Sequence, residues 1–286
     1  MSTLWLVATP IGNMDDLAPR ALDVLGRVAL VCCEDTRRTG LLLQRSGIRA
    51  ERLAVCNEHT ELRCAHEVLA VLDRGDDVAL VSDAGSPGIS DPGERVVRAV
   101  VDHGHVVSGV PGPTAAVMAL TISGLPSGRF VFEGFLPRKG RERTDRLAEI
   151  AREPRTTVLY EAPHRVRRTL ADLRSACGAD RMVVVTRELT KLHEETIRGE
   201  LGQIEIGEPR GEYVLVLDGA PEPPPATDAE VAAALREQLA HASTRDAAAA
   251  VAQLTGRRKR DVYELARSIA RRDGDDNGDG DQDQTP

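Results

Sequence analysis

Aromatic residues are scarce, with 3 Phe, 3 Tyr and 1 Trp in 286 residues. That scarcity argues against a nucleic-acid reader built on base-stacking platforms. No apolar run is long enough to span a membrane, and MSTLWLVATPIGN lacks the basic start and apolar core of a signal peptide. A cytoplasmic protein is therefore expected. The 5 cysteines are an odd number without framework spacing, as reduced thiols would be. Cys56, His59, Cys64 and His66 could be read as four metal ligands. Their gaps match no common zinc module, however, and ELRCAHEVLAVL has helical apolar spacing, so no metal is expected. There is no GxxxxGK[ST] for a nucleoside triphosphate, and neither GSPGIS nor TPIGN has the GxGxxG spacing of a dinucleotide loop.

What is present describes a globular chain. Hydrophobic residues make up 41% and charged residues 29%, and the length suits two domains or one large one. The formal charge of −8 is unevenly placed, because six aspartates fall in DGDDNGDGDQDQTP; without them the charge rises to −2. Residues 273–286 read as a solvated, disordered acidic tail.

Short Val- and Leu-rich runs recur at Leu4, Val28, Val78 and His105, separated by segments of helical periodicity such as Leu62, Ala65, Leu69 and Leu72. This alternation indicates a largely parallel sheet covered on both faces, over residues 1–112. FVFEGF, TVLYE, MVVVTRE and YVLVLDG mark a second α/β domain over 113–219. A proline-rich linker follows at 220–227, and then a helical module at 228–272, with Ser243 or Thr244 capping its middle helix and Gly256 ending it. Arg257, Arg258, Lys259, Arg260, Arg267, Arg271 and Arg272 fit either an RNA-contacting face or an ordinary solvated one.

Three strands end in elaborate loops: LVATPIGN, ALVSDAGSPGISDPG and VVSGVPGPTAA. If these strands run parallel, their carboxyl-end loops gather at one edge and line a crevice for a small molecule. Within the middle loop, ISDPGE reads as helix-start grammar, with Asp91 as cap, Pro92 in the first position and Glu94 completing a capping box. Gly85, Pro87 and Gly88 lie in the part that a tight turn alone does not explain.

ATPIGNMDDLAPRAL, CEDTRRTGLLL, ALVSDAGSPGISDPG, PGPTAAVMAL, SGLPSGRFVFEGFLPRK, YEAPHR, RELTK and GEYVLVLDG together resemble the ribosomal RNA small-subunit methyltransferase I family, a branch of the tetrapyrrole methylase superfamily. The resemblance runs from about Leu4 to Gly219, in order and with similar spacing. It implies a two-domain α/β, class III methyltransferase fold with a helical C-terminal module, and commonly a homodimer. It also implies S-adenosylmethionine in the cleft between the domains and 2'-O-methylation of a cytidine ribose in the decoding region of small-subunit RNA. The residues carried over for the cofactor are Pro10, Gly12, Asp83, Gly85, Ser86, Ile89, Thr114, Ala115, Tyr160 and Tyr213. One departure is Cys56, where the family often has His, and no catalytic role is assigned to it.

A ribose hydroxyl is a poor nucleophile until its proton is shared, so a positioned acid or amine is useful. Glu34 and Asp35 follow a buried strand and are candidates, with a helix cap as the plain alternative. Lys191 is the third candidate, and its plain alternative is a surface ion pair with Glu194 or Glu195. Arg37, Arg38, Arg138, Lys139, Arg141 and Arg143 offer two basic loops for phosphate contacts. The competing readings are a sister methylase acting on a tetrapyrrole or on a modified histidine of a translation factor, a non-catalytic ribosome-assembly factor, and a dinucleotide oxidoreductase. TPIGN and SDAGSP, in place of the GDP-type turns of those sister branches, argue against the first.

Overall fold

The computed structural model describes residues 2–222 and 226–276. The chain divides into two compact units, Met1–Ala220 and Pro221–Pro286.

The first unit contains two five-stranded sheets. One comprises β1 (Thr3–Val7), β2 (Leu30–Cys33), β3 (Leu53–Val55), β4 (Val78–Leu80) and β5 (Val106–Val110), in the order β3-β2-β4-β1-β5. Every pairing in it is parallel, with Leu4 opposite Val78 and Val107. Two of its inner strands, β2 and β4, are continuous apolar runs, LVCC and VAL, buried at every position as in a sheet covered on both faces. α1 (Pro19–Arg27) and α2 (Thr36–Arg45) belong to this half of the unit, as do α3 (Glu61–Leu72) and α4 (Glu94–Asp102). Leu30, Cys32, Val68, Leu72 and Val96 form one core, and Val7, Val24, Leu25, Val31 and Ala79 form another. Cys56 and Cys64 are buried in the first of these, while His59 and His66 are exposed. The four residues considered as metal ligands therefore do not converge.

α5 (Ala115–Ser123) leads to the second sheet. That sheet comprises β6 (Phe130–Phe135), β7 (Thr156–Glu161), β8 (Met182–Arg187), β9 (Glu195–Glu200) and β10 (Tyr213–Leu217), in the order β6-β7-β10-β8-β9. Only β6 and β7 run parallel, and the remaining pairs are antiparallel. α6 (Arg141–Arg152) and α7 (Pro163–Cys177) pack with its core of Leu136, Ile150, Leu159, Leu173 and Leu215. A second cluster joins the halves: Ile11 and Ala84 from loops of the first sheet meet Ala119, Val158, Val184, Leu189 and Val214.

The strand pattern anticipated neither β3, which has three residues, nor β9. ETIRGE carries no apolar run because it is an edge strand with a polar outer side. The expected capping by Asp91 is also absent. α4 begins after Gly93, with no side-chain cap bond from that residue. Instead Glu61 Oε1, reaching across from α3, accepts the amides of Gly93 and Arg95, both at 2.9 Å.

The second unit is three helices, α8 (Asp228–Leu239), α9 (Thr244–Thr255) and α10 (Lys259–Asp276), around Val231, Leu235, Val251, Val262 and Ala266. Thr227 and Glu230 form a reciprocal capping box, Ser243 caps α9, and Gly256 ends it in the left-handed region at φ 67°. α10 continues through Asp276, past Asp273, where the acidic tail was expected to begin. The rest of that segment, 277–286, lies outside the described residues, as does 223–225 of the linker.

Candidate functional site

Because β4, β1 and β5 are adjacent and parallel, the loops after them emerge side by side, with the loop after β2 next to them. Two of these loops are fastened by an isolated bridge. Thr9 donates its amide to Gly85 O at 2.9 Å, and Gly85 returns the bond to Thr9 O at 3.0 Å. Gly85 has φ 80°, a conformation costly for other residues. Gly12 is required for close approach: a Cβ there would meet Lys191 and would stand 2.8 Å from Thr190 Oγ1. That contact brings the RELTK loop against TPIGN.

Two cavities open along these loops. The first, of about 270 Å³, is lined on one side by Ile11, Gly85, Ser86, Ile89 and Asp91, and on the other by Thr114, Ala115, Tyr160, Leu189, Glu212 and Tyr213. Seven of the ten expected cofactor residues therefore meet here. The remaining three, Pro10, Gly12 and Asp83, line a second cavity of about 250 Å³ with Thr9, Met14, Arg38 and Arg45. Neighbouring residues of the same loops line the two spaces, with Ile11, Ala84, Gly85 and Ser86 in one and Pro10, Gly12, Ser82 and Asp83 in the other.

Tyr160 is clamped between Phe132 and Phe135, with ring centroids at 5.0 and 5.6 Å, and its hydroxyl accepts the Ala116 amide at 3.2 Å. Burial pushes the Tyr160 phenol up, so it stays protonated. Tyr213 is buried in its strand, with its hydroxyl 3.4 Å from the amide of Arg210. On the opposite wall Ser90 adopts φ 59°, and a bulge in β6 brings Gly134 so near that a Cβ there would lie 3.0 Å from Ser90 Oγ.

Asp91, which was read as helix grammar, faces the first cavity. Burial, then the charges of Glu34, Asp83 and Glu212, push its carboxyl up to about 7. Ser90, Leu189, Glu212 and Arg45 are further lining residues that the sequence reading passed over. Glu212 stands beside Tyr213 in GEYVLVL and could have been nominated with it. Arg45 closes an ordinary helix and carried no distinguishing mark.

Glu34, Asp35 and Lys191 line neither cavity. Glu34 Oε1 accepts the Asp83 amide at 3.0 Å, and burial pushes its carboxyl up. Asp35 is the N-cap of α2, accepting the Arg37 amide at 2.8 Å and pairing with that guanidinium, which holds its carboxyl well below the usual range. Lys191 is paired with Glu188 at 2.9 Å and Glu212 at 2.7 Å, in place of the expected Glu194 or Glu195. Burial opposes its charge, but the two carboxylates outweigh that and keep the ammonium. A lysine so held is a fixed cation and a poor proton acceptor.

The basic residues separate in the same way. Arg37 is exposed beside Asp35, and Arg38 pairs with Asp83 at 3.1 Å. Arg138 and Lys139 are exposed between β6 and α6, and Arg141 begins α6 in an exposed pair with Asp145. Arg143, by contrast, is buried, and binds Asp172, the Pro137 carbonyl and Thr169 Oγ1. Thr169 in turn donates to the buried Glu161 at 2.6 Å. Arg143 is thus a structural anchor of the basic loop and not a phosphate contact. In the helical module Arg258, Lys259, Arg260 and Arg267 are exposed, whereas Arg257 is tied to Asp228 at 2.7 Å. The side chains of Arg271 and Arg272 lie outside the described residues.

The first cavity is lined by residues of both sheet halves, and the second by residues of the first half alone. The profile of the Tetrapyrrole (Corrin/Porphyrin) Methylases family matches residues 3–205, and that of the RsmI C-terminal HTH domain matches residues 225–269. In fold the chain is similar to the methyltransferase CobJ, with TM-score 0.60 and 22% identity over 77% of this chain and 95% of the other. It is also similar to uroporphyrin-III C-methyl transferase from Thermus thermophilus complexed with S-adenyl homocysteine, with TM-score 0.53 and 18% identity over 76% and 97%. Ribosomal RNA small subunit methyltransferase I of Pseudomonas aeruginosa is 46% identical over 92% of this chain and 96% of its own. The protein of the same name from Synechocystis is 44% identical over 93% and 98%, and that of Escherichia coli 43% over 92% and 94%. The chain belongs to the ribosomal RNA small subunit methyltransferase I family, within the tetrapyrrole methylases.

Proposed function

We propose that the chain transfers the methyl group of S-adenosylmethionine to small-subunit ribosomal RNA, at the ribose 2'-hydroxyl of a cytidine in the decoding region. The observation that carries this reading is the near-full-length identity to relatives of that name, together with a cavity whose chemistry suits the cofactor. Ile11, Ala84, Ala115 and Leu189 offer apolar walls for an adenosine, and Glu212, joined by Asp91 above its raised pKa of about 7, offers negative charge to a ligand with a cationic sulfur. Among the described residues no arginine or lysine lines this space, though Lys191 pairs with Glu212 at 2.7 Å.

Gly85, Ser86, Ile89, Thr114, Ala115, Tyr160 and Tyr213 hold the cofactor in this reading. When bound, it supplies an already electrophilic methyl group, so the protein's work is alignment and exclusion of water. Glu34 positions the Asp83 loop, Asp35 shapes the start of α2, and Lys191 fixes the RELTK loop against TPIGN. Arg37, Arg138, Lys139 and Arg141 meet RNA phosphates, with the exposed arginines of the helical module as a second contact. The protein acts in the cytoplasm as a homodimer. Val117 and Met118, apolar and exposed on α5, support the dimer. Among the described residues no helix is long and apolar enough to cross a membrane, and no group of three or more His, Cys, Asp or Glu side chains could hold a metal ion.

The test pairs binding with transfer. S-adenosylmethionine, and not NAD, should raise the melting temperature. Label from the cofactor should then pass to small-subunit RNA and not to a tetrapyrrole. Stabilisation by NAD alone, or methylation of the tetrapyrrole, would overturn the reading.

A further inference from the structure

With 3 Phe in all, the chain is too poor in aromatics for a row of stacking platforms, yet one of the three is left half in solvent on the wall of the first cavity. Phe135 is 52% exposed, whereas Phe132 and Tyr160 of the same aromatic cluster are partly buried. Its direction comes from an irregularity in the strand. Residues three apart on a regular strand face opposite sides, so Phe132 and Phe135 should diverge. The register of β6 against β7 shifts between Phe132 and Gly134, with Glu133 as the extra residue, and Phe135 comes opposite Tyr160. Both phenyl rings therefore meet the Tyr160 ring. Gly134 stands at φ 60°, a conformation costly for residues with a side chain. The fold departs from regular pairing to bring a large apolar ring to the cavity wall, and then leaves about half of that ring uncovered. Such a surface suits a flat ligand that arrives from solvent.

The residues that follow indicate which ligand. Arg138, Lys139 and Arg141 are exposed, and the first of them lies three residues after Phe135, within about 11 Å of chain. The connection is pinned. Leu136 is buried and its carbonyl accepts Arg165 Nη2 at 2.6 Å, while the Pro137 carbonyl accepts Arg143 Nη1 at 2.9 Å. Ring and cations are thus held at a fixed spacing. A ring alone suits any apolar surface, and cations alone suit any phosphate. Together they suit a single-stranded nucleotide, with its base on the ring and the neighbouring phosphates on the cations. Because the ring stands on the wall of the space assigned to the methyl donor, a base stacked there carries its own ribose to the edge of that space.

Resting on the function proposed above, we propose that Phe135 is the platform on which the acceptor cytosine stacks, a positioning residue that sets the ribose beside the methyl donor while Arg138, Lys139 and Arg141 hold the flanking phosphates. Stacking tolerates any base, so Phe135 places the nucleotide and does not read its identity.

The test uses the full-length protein, a synthetic RNA fragment of the decoding region, and the same fragment made without the target base but with its ribose kept. Melting temperatures verify folding. Phe135→Leu keeps an apolar side chain against Tyr160 but removes the stacking face, and should weaken binding of the intact fragment by about tenfold. The salt slope should stay that of wild type, because no charge is removed. Affinity for S-adenosylmethionine, by calorimetry, should be unchanged. Removing the target base should weaken wild-type binding by a similar factor and leave Phe135→Leu binding unaltered, since that variant has no platform to lose. Phe135→Trp, which keeps a ring, should bind the intact fragment as wild type does. Loss of cofactor affinity in Phe135→Leu would place the ring on the cofactor and overturn the assignment. Base removal that weakens variant and wild type equally, or neither, would overturn it as well. Wild-type protein that binds the cofactor but methylates neither small subunits nor the fragment would sink the proposed function together with this inference. Active wild-type protein with unaltered RNA binding in Phe135→Leu would sink this inference alone.

Discussion

Glu61 Oε1 accepts the Gly93 amide at 2.9 Å, and the Arg95 amide at the same distance, so a carboxylate on α3 caps the start of α4. This arrangement leaves Asp91 without capping work and turns it toward the first cavity. Replacing Glu61 with alanine strands two amide donors at a helix start that is otherwise shielded. The expected loss is about 1–3 kcal/mol of unfolding free energy, read by urea denaturation. Glu61→Gln, which keeps one acceptor oxygen, should recover much of it.

Asp91 gives the protein a pH dependence of predictable sign. Its folded-state pKa of about 7 lies above the ordinary 3.8, first through burial and then through Glu34, Asp83 and Glu212. Between those values the folded chain holds a proton that the unfolded chain has lost, so this group's contribution to stability falls as pH rises through the window. Compared with wild type, Asp91→Asn should therefore gain relative stability between pH 5 and pH 8, at roughly those ends of the window. A difference in unfolding free energy that stays constant with pH would show that Asp91 is ionised throughout.

The basic stretch RKGRER contains two kinds of arginine. Arg138→Ala, Lys139→Ala and Arg141→Ala combined should weaken RNA binding by about tenfold and flatten its salt dependence, with melting temperature and cofactor affinity unchanged. Arg143→Ala should do the reverse, costing about 3 kcal/mol of stability by stripping Asp172, Thr169 and the Pro137 carbonyl of their buried partner. Its effect on RNA should follow only from loosening of the loop. Equal effects of the two sets on stability would contradict the distinction.

Much of the site was legible because its loops follow buried strands, and parallel pairing of β4, β1 and β5 sends those loops to one edge. The split into two cavities was not legible. Neighbouring loop residues line different cavities, and the two loops are joined by the Thr9 to Gly85 bridge, a contact between residues far apart in the chain. Asp91 was hidden for a similar reason: SDPGE has the local grammar of a helix start, and the acid that performs the capping lies on a different helix. Lys191 was expected to pair with Glu194 or Glu195; it pairs instead with Glu188, three residues before it, and with Glu212, which the pairing of β10 with β8 brings alongside. β9 escaped notice because a polar edge strand carries no apolar run.

The central claim is methyl transfer to one ribose of small-subunit RNA. Its most direct test is incubation of the purified protein with radiolabelled S-adenosylmethionine and small ribosomal subunits lacking 2'-O-methylation, followed by nuclease mapping of the label. The account predicts label on a single decoding-region ribose, as a 2'-O-methylcytidine. Label on a base, label scattered over many positions, or no label on subunits or free RNA from protein that binds the cofactor would contradict it.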